Sequence, residues 1–418
     1  MEFSKVDKNV FANAATALYS SEDVQRQYDR YASLEKAHLA RYGTVDAFIS
    51  SPGRIELIGN HTDHNNGKVL CAAISVDTLF AVTLRNDDKV VIKSEGYDEF
   101  TVDLKDLEKV NGQEGTSTAL VRGVADYFVK NGGKVGGFSA SVTSDVFKGA
   151  GVSSSASFEL AVAETFNAFY NDDKFDPIFK AKASQYAENY HFGKPCGLMD
   201  QSGIALGGVS YIDFEDLSAP KVKSFAWKMK DLAVVLVNTG GDHSDLTSHY
   251  AAIRTEMEEV ASYFGKKVLR QVDFEEFKKA IPELHKKVSD RAVLRAIHYF
   301  EENQRVEQGK DAVAAGDEDA FIKMIDGSGR SSYQLLQNCY VPGGKEQGVP
   351  LALALAKEDP AYVCARVHGG GFGGTVLCFI KNDKTSIENF KNNMASVFGK
   401  ENVYSIFIRN SGAVEVKL

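Results

Sequence analysis

Four groups of residues in the 418-residue chain have types and spacings suited to chemistry. The first is the loop Lys148-Gly-Ala-Gly-Val-Ser-Ser-Ser-Ala-Ser157, which runs straight into a segment with helical spacing. Helix N-termini expose unpaired N–H groups and the positive end of a dipole. Glycine permits close backbone approach, and serine hydroxyls add donors and a Mg²⁺ ligand, so a phosphate is the natural guest. Taken alone, the loop fits a flexible turn with a serine cap equally well. The second group, Gly369-Gly-Gly-Phe-Gly-Gly374, satisfies the dinucleotide spacing GxGxxG on paper. That fingerprint must open a helix, whereas Thr375 to Ile380 reads as a strand, so NAD binding is rejected and a glycine hairpin packed against a ligand or loop is expected. The third is the polar stretch Asn60-His-Thr-Asp-His-Asn-Asn66, which suits a hydroxyl-rich ligand. His61 and His64 flank Asp63, but no further Cys/His cluster completes a tetrahedral set, so metal binding by this pair is not expected. The last is the pair Arg54 and Asp200. Phosphoryl transfer to an alcohol asks for a carboxylate near the acceptor hydroxyl and cations over the developing charge. No Walker A sequence and no GxSxG elbow occurs in the chain.

The elements that must position these groups alternate in type. Phe80 to Leu84, Val90 to Lys93 and Phe138 to Val142 read as strands, the last with period two. A glycine turn, Gly149 to Gly151, leads to a helix over Ala156 to Tyr170, with Phe158, Val162, Phe166 and Phe169 at helical spacings. Leu232 to Val237 reads as a strand, Ser248 to Gln337 as helix-rich with Val293, Ile297 and Phe300 on one face, and Tyr362 to Val367, Thr375 to Ile380 and Tyr404 to Ile408 as strands. Two separated sheet regions imply two α+β domains, 1–222 and 223–418, with a cleft between them.

Composition excludes several functions. The chain is 44% hydrophobic and carries a net charge of −9, which is not the electrostatic footprint of a nucleic-acid binder. The longest apolar run, Val349 to Ala356, is interrupted by Pro350 and far too short to span a membrane. Val10 to Tyr19 reads as an amphipathic surface helix rather than a signal segment, because Glu2 and Asp7 stand where positive charge is needed. Five scattered cysteines, 71, 196, 339, 364 and 378, fit reduced thiols and a cytoplasmic location. Of 36 glycines, some seven exceed the roughly 29 expected at an average usage of about 7%. Seven lie in the two glycine loops.

Ser51-Pro-Gly-Arg-Ile-Glu-Leu-Ile-Gly-Asn-His-Thr-Asp-His-Asn-Asn-Gly-Lys-Val-Leu70 resembles the galactokinase signature of the GHMP small-molecule kinases. Gly149 to Ser157 is similar to that superfamily's phosphate loop, Pro195 to Gln201 to the stretch with its catalytic aspartate, and Arg366 to Gly374 to its C-terminal glycine motif. Together the four motifs run from about residue 25 to the C-terminus. The resemblance implies a two-domain α+β GHMP kinase-like fold with ATP and sugar in the interdomain cleft. It also implies transfer of the γ-phosphoryl group to the anomeric hydroxyl of galactose. Asp200 falls on the catalytic aspartate and Arg54 on the arginine beside it. Ser155 and Glu188 fall on the Mg²⁺ ligands, and Gly149, Ala150, Gly151, Val152, Ser153, Ser154 and Ser155 on the ATP phosphate loop. His61, Asp63, Gly197 and Tyr250 fall on sugar contacts, and His298 on a structural position. ATP and Mg²⁺ are the implied cofactors, with no nucleic-acid or membrane partner and a monomer or weak oligomer as the expected state.

The chain departs from the galactokinase pattern at several positions. Asn60 stands where a glutamate meeting the sugar's 6-hydroxyl is usual, which raises galacturonate and L-arabinose as alternative acceptors. Glu56, His64, Cys71, Phe147 and His368 replace other usual residues, and the segment 327–341 diverges. Relatives without turnover act as sugar- and ATP-binding regulators; the intact Ser153 to Ser157, Glu188, Arg54 and Asp200 favour an active kinase here.

Overall fold

The computed structural model describes residues 6–146, 151–240 and 246–418. All twelve residues of β1 (Ala47–Ile58) are buried, and the strand pairs antiparallel with β2 (Lys68–Leu84). The ladder shifts register between Pro52 and Gly53. A bulge of this kind tolerates a proline inside a paired strand and bends it. Both strands are covered on both faces and lack the alternation of a half-exposed strand, so the expected strand Phe80 to Leu84 is only the last part of β2. β3 (Lys89–Ser94), β4 (Phe100–Asp103) and β5 (Phe138–Ser144) extend this sheet beyond β2 in the order β2-β5-β3-β4, while β6 (Val209–Asp213) and β7 (Lys221–Phe225) pair on at the start of β2.

A second, antiparallel sheet contains β8 (Leu232–Asn238), β9 (Tyr362–His368), β10 (Thr375–Lys381) and β11 (Val403–Ile406) in the order β11-β8-β10-β9. The chain then returns to the first sheet, where β12 (Val414–Val416) pairs with β1. An expected boundary at 222/223 does not contain this return. One apolar cluster joins the two sheets, with Ile55, Leu57, Leu70 and Ile74 from the first packed with Leu232, Val234, Leu377 and Phe379 from the second.

Helices occupy Thr247–Tyr263, Phe274–Leu284, Asp290–Ala315 and Glu318–Ser331, as the spacing in that region predicts. The N-terminal helix is shorter than expected, Lys8–Ala15, and Asp7 caps it by accepting from the N–H groups of Asn9 and Val10. Beyond it Tyr19 is buried and its hydroxyl donates to Asp77 at 2.6 Å, so the segment is anchored in the fold rather than lying on it. Among the described residues, no helix is long and apolar enough to cross a membrane.

Candidate functional site

Gly53 brings the first sheet against the phosphate loop. A Cβ there would lie 2.8 Å from the carbonyl oxygen of Val152, and the next residue's N–H, Arg54, donates to that oxygen at 3.2 Å. The backbone contact aims the Arg54 side chain. Its Nε donates to Oδ1 of Asp200 at 2.9 Å, Nη2 lies 2.7 Å from the same oxygen, and Nη1 donates to the carbonyl of Gly151. The second carboxylate oxygen of Asp200 accepts from the Ser153 hydroxyl. Ser153 has a left-handed backbone, φ 64°, and precedes the helix Ser154–Tyr170 without a side-chain capping bond; the helix starts two residues earlier than its apolar spacing indicated.

The two partners differ in access: the Arg54 side chain is 8% exposed and that of Asp200 is 35% exposed. The cation is sealed behind the carboxylate and the carboxylate faces outward. Burial opposes the charge on Asp200, but the Arg54 guanidinium and the Ser153 hydroxyl outweigh it and hold the carboxyl below its ordinary range.

Ser155 is in the first turn of the same helix. Its hydroxyl donates to Oε1 of buried Glu188 at 3.2 Å, and Lys194 reaches that oxygen at 3.0 Å. Gln201 donates to Oε2 at 2.9 Å. Glu188 sits on a π-helical turn, Ala187–Phe192, that ends at Gly193 with φ 83°, the type of wide turn that recurs at functional positions. One hydroxyl and one carboxylate suit Mg²⁺, which keeps several waters and takes its remaining ligands from substrate phosphates rather than from a protein cage. Among the described residues, no group of three or more His, Cys, Asp or Glu side chains is placed to hold a metal without such help. Glu159 lies one turn beyond Ser155 and is buried, with neither carboxyl oxygen partnered among the described residues. Burial and the nearby Glu188 push its carboxyl well above the usual range. Gly149 and Ala150, expected in the phosphate loop, and Phe147 lie outside the described residues.

The polar stretch approaches from the other side. A Cβ on Gly197 would sit 3.3 Å from Oδ2 of Asp63, which brings the aspartate stretch and the 60–66 stretch together. Burial and the nearby charge of Asp200 push the Asp63 carboxyl up, while His61 counteracts them. Nε2 of His61 lies 3.1 Å from the carbonyl of Gly370, and the Tyr250 hydroxyl donates to the carbonyl of Gly371 at 3.2 Å. These two expected sugar contacts therefore border the C-terminal glycine hairpin.

Asn60 requires a correction. Its side chain is fully buried rather than turned toward a ligand. Nδ2 donates to Oε1 of Glu56 at 3.0 Å and to the carbonyl of Gly369 at 2.7 Å; Oδ1 accepts from Asn338 at 2.8 Å and from Ser332 at 3.3 Å. A primary amide has two donors and two acceptor positions, and protein groups occupy all four. The same network holds Glu56 against Arg366 at 2.9 Å, and Arg366 donates onward to the carbonyl of Leu57 at 2.6 Å. His368 accepts the Glu56 backbone N–H at 3.1 Å. Thus the departures at 56, 60 and 368 and in the segment 327–341 form one buried assembly, a relation invisible in a sequence that spreads them over three hundred positions. His298 supports it from behind: Nε2–H donates to the carbonyl of Asn60 and Nδ1 accepts from Ser331, both at 2.8 Å. Gln201, Lys194 and Glu159 were also missed. The first two flank or belong to the aspartate motif, which was the available signal.

Two family models match the chain: the galactokinase galactose-binding signature over residues 36–84 and the GHMP kinases N terminal domain over residues 119–208. The galactokinase of Pyrococcus furiosus is 33% identical over 337 residues, 80% of this chain and 89% of that protein. That of Clostridium tetani is 30% identical over 88% of this chain and 92% of its own length. Among solved structures, Lactococcus lactis galactokinase complexed with galactose superposes with a TM-score of 0.77 at 24% identity, covering 92% of this chain and 99% of that one. Methanococcus jannaschii mevalonate kinase gives 0.61 at 14% identity, covering 88% and 99%.

Proposed function

The chain belongs to the galactokinases, and from that membership we propose how its own residues carry out ATP-dependent phosphorylation of galactose. The acceptor is the anomeric hydroxyl, and the products are galactose 1-phosphate and ADP. One observation carries this reading: the outward-facing carboxylate of Asp200, gripped by Arg54 and Ser153 where the phosphate loop meets the sugar stretch.

Asp200 accepts the hydrogen bond of the 1-hydroxyl and points its oxygen along the line of transfer. A carboxylate held below its ordinary pKa is a weak base, so orientation comes first and the proton passes late, when the phosphoryl group has largely left ADP. Arg54 keeps Asp200 ionised and spreads positive charge toward the transferring group. His61, Asp63, Gly197 and Tyr250 line the sugar side; Gly151 to Ser155 receive the phosphates. Ser155 and Glu188 would hold Mg²⁺, which supplies neutralisation of phosphate oxygens when bound. All five cysteines are free and four are buried, which fits a reducing cytoplasm.

Asn60 presents no group to the acceptor, so the relatives' preference stands and galactose leads. ADP release with Mg-ATP is the test, across galactose, galacturonate, L-arabinose, N-acetylgalactosamine, glucose and a blank without sugar. Galactose is expected to give the highest kcat/KM. Absence of sugar-dependent ADP would favour a regulator, and turnover of galacturonate well above galactose would overturn the acceptor.

A further inference from the structure

The end of β9 places one side chain that the mechanism above does not use. His368 is 2% exposed. Its Nε2 accepts the backbone N–H of Glu56 at 3.1 Å, and a ring nitrogen that accepts is unprotonated. The proton of the neutral ring is therefore on Nδ1. That N–H has no hydrogen-bond partner among the described residues. Burial, with Arg54 and Arg366 close by, pushes the ring's pKa well below its ordinary value, so the ring stays neutral and a single tautomer persists. An orphaned buried donor is costly and calls for an explanation.

Its direction supplies one. The atoms nearest to a Cβ built on Gly151 are Nδ1 of His368 at 3.5 Å and Cε1 at 3.7 Å. Gly151 is exposed and has φ 70°, and its carbonyl is turned away onto Nη1 of Arg54. The missing Cβ leaves a slot one methyl wide between the phosphate loop and the imidazole. An oxygen entering that slot would come within hydrogen-bond reach of Nδ1, about 3 Å. Arg54, bonded to the carbonyl of the same glycine, and Arg366 both act electrostatically on the ring, so an anionic oxygen is favoured there over a neutral one.

We propose that His368 is a phosphate-binding residue of this enzyme: its Nδ1–H, reaching past Gly151, donates to an oxygen of the terminal phosphoryl group of ATP. The proposal rests on the phosphotransferase reading and adds to it a neutral donor that distinguishes ATP from ADP.

Two substitutions separate this role from mere packing, because each amide imitates one ring nitrogen. His368→Gln places an acceptor near Nε2 and removes the Nδ1 donor; His368→Asn keeps a donor near Nδ1 and gives up the bond to Glu56. Calorimetric binding of AMPPNP and of ADP, each with Mg²⁺, is compared for wild type and both variants, together with galactose binding as a control for fold. In His368→Gln the affinity for AMPPNP should fall about ten- to a hundred-fold, as expected for a lost hydrogen bond to a charged group, while ADP and galactose affinities stay within about two-fold. His368→Asn should retain most of the AMPPNP affinity. Equal losses for AMPPNP and ADP in His368→Gln, or no loss for either, would overturn the proposal. Wild-type protein that binds neither nucleotide would instead refute the phosphotransferase reading itself.

Discussion

Asn60 and Arg54 lie six residues apart in one motif and meet opposite fates. Arg54 holds a carboxylate that is 35% exposed, with partners on two separate segments, Arg54 in β1 and Ser153 in the phosphate loop, and one face left open. Asn60 belongs to a sealed assembly in which Glu56, the carbonyl of Gly369, Asn338 and Ser332 leave its amide no free valence. Both regions are dense in polar residues of kinds used in catalysis. What separates them is access: chemistry needs a polar group whose partners leave one direction open, and a buried amide with all four positions taken gives shape instead. Here that shape is the glycine hairpin, whose carbonyls at 369 and 370 are held by Asn60 and Asn338.

The contrast is broken most directly by substitutions that should act on rate in one region and on stability in the other. Asp200→Asn should lose turnover by about a thousand-fold or more, since it removes the ionised acceptor of the hydroxyl proton, yet melt close to the wild type. Steady-state ADP release and thermal unfolding check both halves. Substantial activity would remove Asp200 from the chemistry. In the sealed region Arg366→Met should destabilise by about 3–5 kcal/mol in urea unfolding, because it leaves the Glu56 carboxylate buried and unpaired. Glu56→Gln should cost less, since burial already pushes that carboxyl up against the pull of Arg366 and the neutral amide can still meet Asn60. Equal losses would mean that the charge pair is not what the network depends on.

Access explains how much was legible in the sequence. The phosphate loop, the aspartate stretch and the sugar stretch could be found because chemistry concentrates them in short runs, and the strands at 362–368 and 375–381 because their apolar runs are bounded by glycine and polar turns. β1 was hidden because Pro52 and Gly53 sit inside it and both its faces are buried. The network around Asn60 was hidden for a different reason: its members are separated by up to 312 positions, as the bond from Glu56 to His368 shows, and only the crossing of β1 and β9 brings them together. Asn60 was expected at the sugar because it stands where the family's glutamate does, and position within a motif carries no information about burial.

A smaller effect sharpens the same comparison through pH. His298, buried beneath Asn60, has its pKa pushed down to about 4 by burial, against the pull of Glu302 and of the Asn60 carbonyl. The unfolded chain, near the ordinary value of about 6.5, therefore binds more protons in the intervening window. This residue's contribution is complete above about pH 6.5 and is lost as the pH falls toward 4, on the order of 2 kcal/mol between pH 7 and 5. The urea midpoint should follow that slope in the wild type and flatten in His298→Gln; an unchanged slope would show that the ring titrates normally. Smallest of all, Tyr250→Phe removes the bond to Gly371 and one expected sugar contact. It should lower stability by about 1 kcal/mol or less and raise the KM for galactose by roughly five-fold with kcat nearly constant. A fall in kcat with KM unchanged would place this hydroxyl in the transferring step.

In the proposed reaction the open Asp200 and Arg54 pair directs the terminal phosphoryl group of ATP onto the anomeric oxygen of galactose. Phosphorus-31 NMR of wild-type enzyme with Mg-ATP and galactose tests it directly. The expected product is a phosphomonoester coupled to the C1 proton of the sugar, growing in step with ADP. ATP converted to ADP and inorganic phosphate, or a phosphoryl group on any other carbon, would contradict it.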